Sequence, residues 1–174
     1  LNSQNYLSLN LQLSNSSKID RYDKLNEIKN GKLRYAEWYY GPQKRFLFSP
    51  KYEFFKGNPL LRKGTLTFAY QNIKESRIDR KFDSFNRSYQ SEEVVVISFN
   101  ADFSAKPYEN INTSYGLEVL NNKIYSNAFT KSLNVSNNQI TKLSNPVKIP
   151  TRYPSNGSYY NSAATYINFI WDLN

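Results

Sequence analysis

The residues best equipped for chemistry stand close together: Arg34, Tyr35, Trp38, Tyr39 and Tyr40, closed by Gly41-Pro42. Aromatic faces stack on planar or sugar-like ligands, and guanidinium groups add cation–π attraction and hydrogen bonds, so this cluster is a candidate ligand-binding loop. A loop packed on its own rim would use the same residues, and that alternative stays open. Further along, Arg77 and Arg80 join the ligand-binding candidates, and with Asp79 they are spaced for a rim ion pair, an interaction that contributes little when exposed.

Catalysis finds little to work with. The chain has no His and no Cys, which removes the commonest general base, thiolate metal sites and any disulfide framework. Glu92 and Glu93 are adjacent, so in an extended chain they point to opposite faces and cannot act on one substrate as an acid and base pair. There is no Gly-rich phosphate loop and no metal-ligand spacing. No enzyme, cofactor, catalytic residue or metal ligand is expected. The sequons at Asn15, Asn86, Asn112, Asn134 and Asn156 follow from the abundance of Asn, Ser and Thr and receive no glycosylation role.

The elements that must position the aromatic cluster are strands. With 15 Tyr and 11 Phe in short alternating runs, the chain has enough apolar surface to order itself, and its composition favours β-structure over helix. A period of two puts Leu7, Leu9, Leu11 and Leu13 on one face of a strand near 5–13. The same alternation predicts strands near 44–55 (Phe46, Phe48, Tyr52, Phe54), 64–72 (Leu66, Phe68, Tyr70) and 94–103 (Val95, Ile97, Phe99, Ala101, Phe103). It also predicts strands near 111–120 (Thr113, Tyr115, Leu117, Val119) and 163–173 (Thr165, Ile167, Phe169, Trp171). Pro50, in mid-run, predicts a bulge or local break. Most of these segments have the length of about 9 to 11 residues that crosses a bilayer at a tilt, whereas no apolar run is long enough for a spanning helix.

Alternation alone suits a soluble sandwich equally well. The connections shift the balance. Lys56–Lys63 and Ser104–Asn110 are short, whereas Ser14–Gln43, Ile73–Glu93 and Asn121–Ser162 read as long loops. Long loops alternating with short turns are the pattern of outer-membrane barrels, with the short turns in the periplasm. Phe54, Phe55, Phe103, Tyr108 and Trp171 gather at the short-turn side, where a periplasmic aromatic girdle belongs, although ordinary strand-end packing accounts for them too. The charges within the spans, Lys51, Glu53, Asp102 and Glu118, all fall on the polar face, as lumen-facing residues must.

Three strings carry a family resemblance: Arg34 to Gln43 (RYAEWYYGPQ), Gly64 to Arg77 (GTLTFAYQNIKESR) and Ser162 to Asn168 (SAATYIN). They look like the barrel portion of TonB-dependent outer-membrane receptors for siderophores, haem or related ligands. The resemblance runs through nearly the whole chain. It implies an all-β fold, an antiparallel transmembrane β-barrel of about 22 strands whose lumen is filled by a plug domain. It also implies active uptake of a scarce nutrient across the outer membrane of a Gram-negative bacterium, driven by the TonB, ExbB and ExbD complex acting through the plug. Residues 1–174 are then one partial barrel domain, a mature segment or internal piece without plug, TonB box or C-terminal strands, completed by the remainder of the same barrel. An open six-stranded piece would leave two unpaired edges in lipid, which is not viable.

The net charge of +9 comes from Lys and Arg spread over the loops, among them Lys18, Arg21, Lys24, Lys74, Arg77, Arg80 and Arg87. No recognition helix or RNA-binding aromatic motif accompanies them, so no nucleic-acid partner is expected. Basic loops on a barrel meet lipopolysaccharide phosphates or draw an anionic ligand to the mouth. A surface lipoprotein lid, a partner of some receptors of this kind, is neither favoured nor opposed by any residue here. Two other readings remain: a soluble secreted β-sandwich that binds glycans through its Tyr- and Trp-rich loops, and a passive porin or secretion pore. In the sandwich, the faces carrying Leu7, Phe68 and Phe99 would converge on one core; in the barrel they point outward.

Overall fold

The structure is a computed structural model that describes residues 5–136 and 139–173. It is antiparallel and almost wholly β, a ten-stranded sheet curled into a half-barrel. Six long strands build the wall: β1 (Asn5–Asn15), β6 (Lys44–Asn58), β7 (Leu61–Lys81), β8 (Asn86–Tyr108), β9 (Ile111–Ser136) and β12 (Ser158–Trp171). Among the shorter elements, β2 (Ile19–Asp20), β5 (Tyr35–Tyr40), β10 (Gln139–Leu143) and β11 (Val147–Lys148) complete a ten-stranded sheet. The one-turn helix α1 (Tyr22–Leu25) and a separate hairpin of β3 (Ile28–Lys29) and β4 (Lys32–Leu33) lie between β2 and β5. No helix among the described residues is long and apolar enough to cross a membrane.

All six anticipated strands are present, and the register aligns them. Directly paired residues share a face. Leu7 faces Tyr52, Tyr52 faces Leu66, Leu66 faces Ala101, Ala101 faces Leu117 and Leu117 faces Thr165. One row on, Phe68, Phe99, Val119 and Ala163 follow the same line. The residues picked out by alternation in the six strands therefore share one face as a belt, whereas Leu47, Val94, Val96, Leu120 and Ile170 lie on the other. From Phe46 to Phe54 the belt covers about 27 Å of strand, which at a barrel's tilt is the thickness of a hydrocarbon core. Lys51, Glu53, Asp102 and Glu118 lie on the opposite face with Thr65, Thr67 and Asn100.

No second sheet packs on either face among the described residues. Leu7 is 77% exposed, Phe68 38% and Phe99 39%, so the convergent core of a sandwich does not form. The buried apolar residues among those described are three alanines, Ala101, Ala105 and Ala128, with Ile78 and Leu133.

Several boundaries differ from expectation. Ile73–Glu93 is not a loop: β7 runs on to Lys81 and β8 starts at Asn86, leaving only positions 82–85 as the turn. Similarly, β9 continues to Ser136, well into the stretch read as a third loop. These extensions pair along their backbones but carry no apolar stripe, and a periodicity reading cannot see such strands. The short connections tighten to Pro59-Leu60 and Glu109-Asn110, each beside a register shift, between Phe55 and Asn58 and between Ala105 and Tyr108.

Pro50 brings a local break and no bulge. It pairs with Leu9, but the β6–β7 ladder skips Ser49 and Pro50, passing from Phe48–Tyr70 to Lys51–Thr67 in the same register. Of the aromatics at the turn end, Phe54, Phe103 and Trp171 belong to the belt, whereas Phe55 lies on the other face against Tyr6, ring centroids 6.1 Å apart.

Candidate functional site

Beyond the belt at the loop end, β7, β8 and β9 continue as an arm, and β5 takes over from β6 as the strand beside β7. The handover falls at Gly41-Pro42-Gln43. Gly41 donates its N–H to the Ser76 carbonyl at 2.9 Å, and a Cβ there would lie 2.1 Å from the Ser76 hydroxyl oxygen, so a larger residue would need that hydroxyl to turn away. Trp38 pairs with Asp79, Tyr39 with Ile78 and Tyr40 with Arg77. The aromatic cluster is therefore part of the sheet, and alternation divides it between two faces.

Trp38, Tyr40, Arg77 and Asp79 continue the polar face. Trp38 and Tyr40 meet edge to face, centroids 5.1 Å apart. The Arg21 guanidinium lies over the Trp38 ring at 4.9 Å, and it donates to the Tyr40 hydroxyl at 3.0 Å and to Asp23 at 2.7 Å. Those bonds hold Asp23 down at about 2. Next to them Arg77 donates to Glu92 at 3.3 Å, and Glu92 is only 4% exposed. Arg77 Nε, Glu92 Oε2 and Ser126 Oγ, all buried, have no hydrogen-bond partner. Ser126 is the cross-strand partner of Glu92, so the unsatisfied atoms share one spot on the floor of this face.

Tyr39 and Arg80 lie on the other face. Arg80 and Arg87 are directly opposed across β7 and β8, and Glu37 from β5 accepts hydrogen bonds from both, at 2.9 Å and 2.8 Å. Burial pushes the Glu37 carboxyl up, but the bonds from Arg87 and Arg80 outweigh it and hold the group below the ordinary range. Arg80 is thus the clamp that fastens β5 to the arm, and its partner is Glu37 rather than Asp79. Asp79 is instead raised, mainly by burial. Lys18 covers Tyr39, its ammonium 4.2 Å from the ring centroid.

Arg34 and Tyr35 are engaged within the loop. Arg34 lies over the Tyr35 ring at 4.9 Å and forms an ion pair with Glu27, while its N–H donates to the Glu27 carbonyl at 2.8 Å. Of the seven anticipated residues, Trp38, Tyr40 and Arg77 thus share one surface. Arg21, Glu92 and Ser126 belong with them and were not anticipated. Only pairing could reveal them, since Glu92 stands 15 residues from Arg77 in sequence.

A wider cleft, of about 1080 Å3, lies at the opposite end, where Lys56, Arg62, Lys63 and Lys106 surround the two tight turns. Among the described residues no group of His, Cys, Asp or Glu is placed to hold a metal ion. Comparison with known proteins adds no identity: no family model, no curated protein and no solved structure matches the chain.

Proposed function

We propose that this chain is wall and mouth of an outer-membrane β-barrel, its belt against lipid and its polar face toward a lumen. Following the family resemblance, we propose further that the barrel is a TonB-dependent receptor for a scarce nutrient such as an iron–siderophore or haem. The observation that carries the membrane half is the register that lines up the alternating residues of six strands, Leu7 to Leu13, Phe46 to Phe54, Leu66 to Tyr70, Val95 to Phe103, Thr113 to Val119 and Thr165 to Trp171, on one face. Such a belt, uncovered by any other layer of the fold, is stable only against an apolar medium.

In this reading the stiff wall holds a fixed mouth. Trp38, Tyr40 and Arg77 on the polar face of the arm meet the nutrient by stacking and hydrogen bonding. The plug, pulled by TonB, supplies the movement.

The two tryptophans test the membrane half, because Trp171 lies on the belt and Trp38 on the arm. Variants of the complete barrel in which Trp38 or Trp171 is the one tryptophan left are reconstituted into phosphatidylcholine vesicles with brominated acyl chains. Quenching of Trp171 and sparing of Trp38 is the expected result; equal, weak quenching of both sinks the membrane reading. The uptake half is tested in the parent bacterium. Disrupting the gene should abolish energised uptake of one ligand from a panel of siderophores and haem, and unchanged uptake across the panel counts against the receptor reading.

A further inference from the structure

At the loop end of the belt, the register sets Lys44 of β6 directly opposite Lys74 of β7, a like-charged pair at a position where like charges repel. Lys74 reaches Glu93 at 3.0 Å, but the same carboxylate also accepts a hydrogen bond from Asn72 at 2.7 Å. Among the described residues no acidic side chain pairs with Lys44, which is exposed. One row toward the belt, Leu13, Phe46 and Asn72 stand side by side. A pocket of about 550 Å3 opens at this junction, lined by Asn15, Lys44 and Lys74 on one side and by Leu13 and Phe46 on the other. It thus has a cationic lip and an apolar wall.

We propose that this pocket holds the phosphate headgroup of an anionic membrane lipid, between Lys44 and Lys74, with its acyl chains lying along Leu13, Leu11 and Phe48. The proposal rests on the transmembrane reading and names a partner for the wall rather than for the mouth. Charge complementarity selects an anion: Glu93 balances one of the two lysines, and the phosphate offsets the charge left on Lys44. The apolar wall selects a lipid over a free anion. Leu13 is 77% exposed and Leu11 58%, and a soluble phosphate would leave both bare while acyl chains cover them. Asn15 and Asn72, at the two sides, offer amide donors to the remaining headgroup oxygens.

The test uses the complete barrel in phosphatidylcholine nanodiscs containing a minority of phosphatidylglycerol, with lipids retained on release counted by native mass spectrometry. The wild type should retain phosphatidylglycerol selectively. Lys44→Gln with Lys74→Gln should weaken that retention about thirtyfold, at about 1 kcal/mol for each lysine, and Lys44→Arg with Lys74→Arg should restore it. Equal retention in the wild type and the glutamine variant, or no selectivity in the wild type, overturns the lipid site and leaves the membrane reading standing. Displacement of the lipid by millimolar inorganic phosphate overturns it in favour of a free-phosphate site. Failure of the chain to enter the bilayer, with Trp171 unquenched, removes both readings together.

Discussion

The phenol of Tyr166 donates a hydrogen bond to Asp102 at 2.9 Å, although the two residues stand on strands separated by β9. It does so by crossing Gly116, which pairs with Tyr166 on one side and with Asp102 on the other. A Cβ on Gly116 would lie 2.6 Å from the Tyr166 ring and 2.6 Å from the Ala101 carbonyl oxygen. The polar face thus ties its own strands together. The Lys51–Glu53–Lys63 chain does the same nearer the turns, at 3.0 Å and 2.9 Å.

Gly116→Val should therefore destabilise the sheet by about 1–3 kcal/mol, the cost of forcing a side chain into occupied space. Tyr166→Phe, which keeps the ring and removes one exposed hydrogen bond, should cost no more than about 1 kcal/mol. Urea unfolding followed by circular dichroism ranks the two. A larger loss in Tyr166→Phe than in Gly116→Val would mean that the bond, not the space over the glycine, sets the packing.

The Glu37 clamp has a definite pH dependence. Its carboxyl is held below the unfolded value of about 4.3, so its contribution is fully present above that value and is lost as pH falls through the lower folded one. Glu37→Gln should cost about 2 kcal/mol at neutral pH, because Arg80 and Arg87 are left opposed and largely buried. It should also flatten the loss of stability on the acid side of pH 4. Protection of the β5 amides against hydrogen exchange reads the clamp directly, and unchanged protection in Glu37→Gln would show that β5 is held by its ladder alone.

Asp79 has the opposite sign. Burial raises its carboxyl above the unfolded value, so ionisation at neutral pH opposes folding, and stability recovers as pH falls through the folded value toward the unfolded one. Asp79→Asn should stabilise the chain at pH 7 by about 0.5 kcal/mol, after allowance for partial exposure, and the gain should vanish below about pH 4. A stability difference that does not change between pH 7 and pH 4 would trace the effect to something other than charge.

The six spans were legible because each has one apolar face, and alternation reports that face. Their extensions were not: the stretch from Ile73 to Lys81 mixes Ile, Lys, Glu, Ser and Arg with no stripe, yet it pairs residue by residue with β8. The hairpin of β3 and β4 could have been read, because Asn30-Gly31 is a strong two-residue turn signal, and both residues have positive φ, 52° and 75°. At the mouth, residue types were legible and their faces were not. Consecutive Trp38, Tyr39 and Tyr40 read as one cluster in a loop, and a strand there sends Tyr39 to the face opposite its neighbours. Arg80 pairs with Glu37, 43 residues away, and no local spacing marks such a contact.

The sharpest test of the wall compares two adjacent residues of β8. Phe99 lies at mid-belt, between Phe68 and Val119, and Asn100 lies on the polar face between Thr67 and Glu118. In water the two positions differ modestly: Phe99 is already 39% exposed, and a lysine there could extend into solvent. Against hydrocarbon the difference is large, since a lysine on the lipid face at mid-depth costs about 2–4 kcal/mol while a lumen-facing one is tolerated. Phe99→Lys, made in the complete barrel, should therefore reduce its folding into lipid vesicles by about 30- to 1000-fold in equilibrium constant. Asn100→Lys, beside Glu118, should fold nearly as the wild type does. Folding yield by gel mobility shift and protease protection measures both, and equal tolerance of the two lysines would place the belt in water.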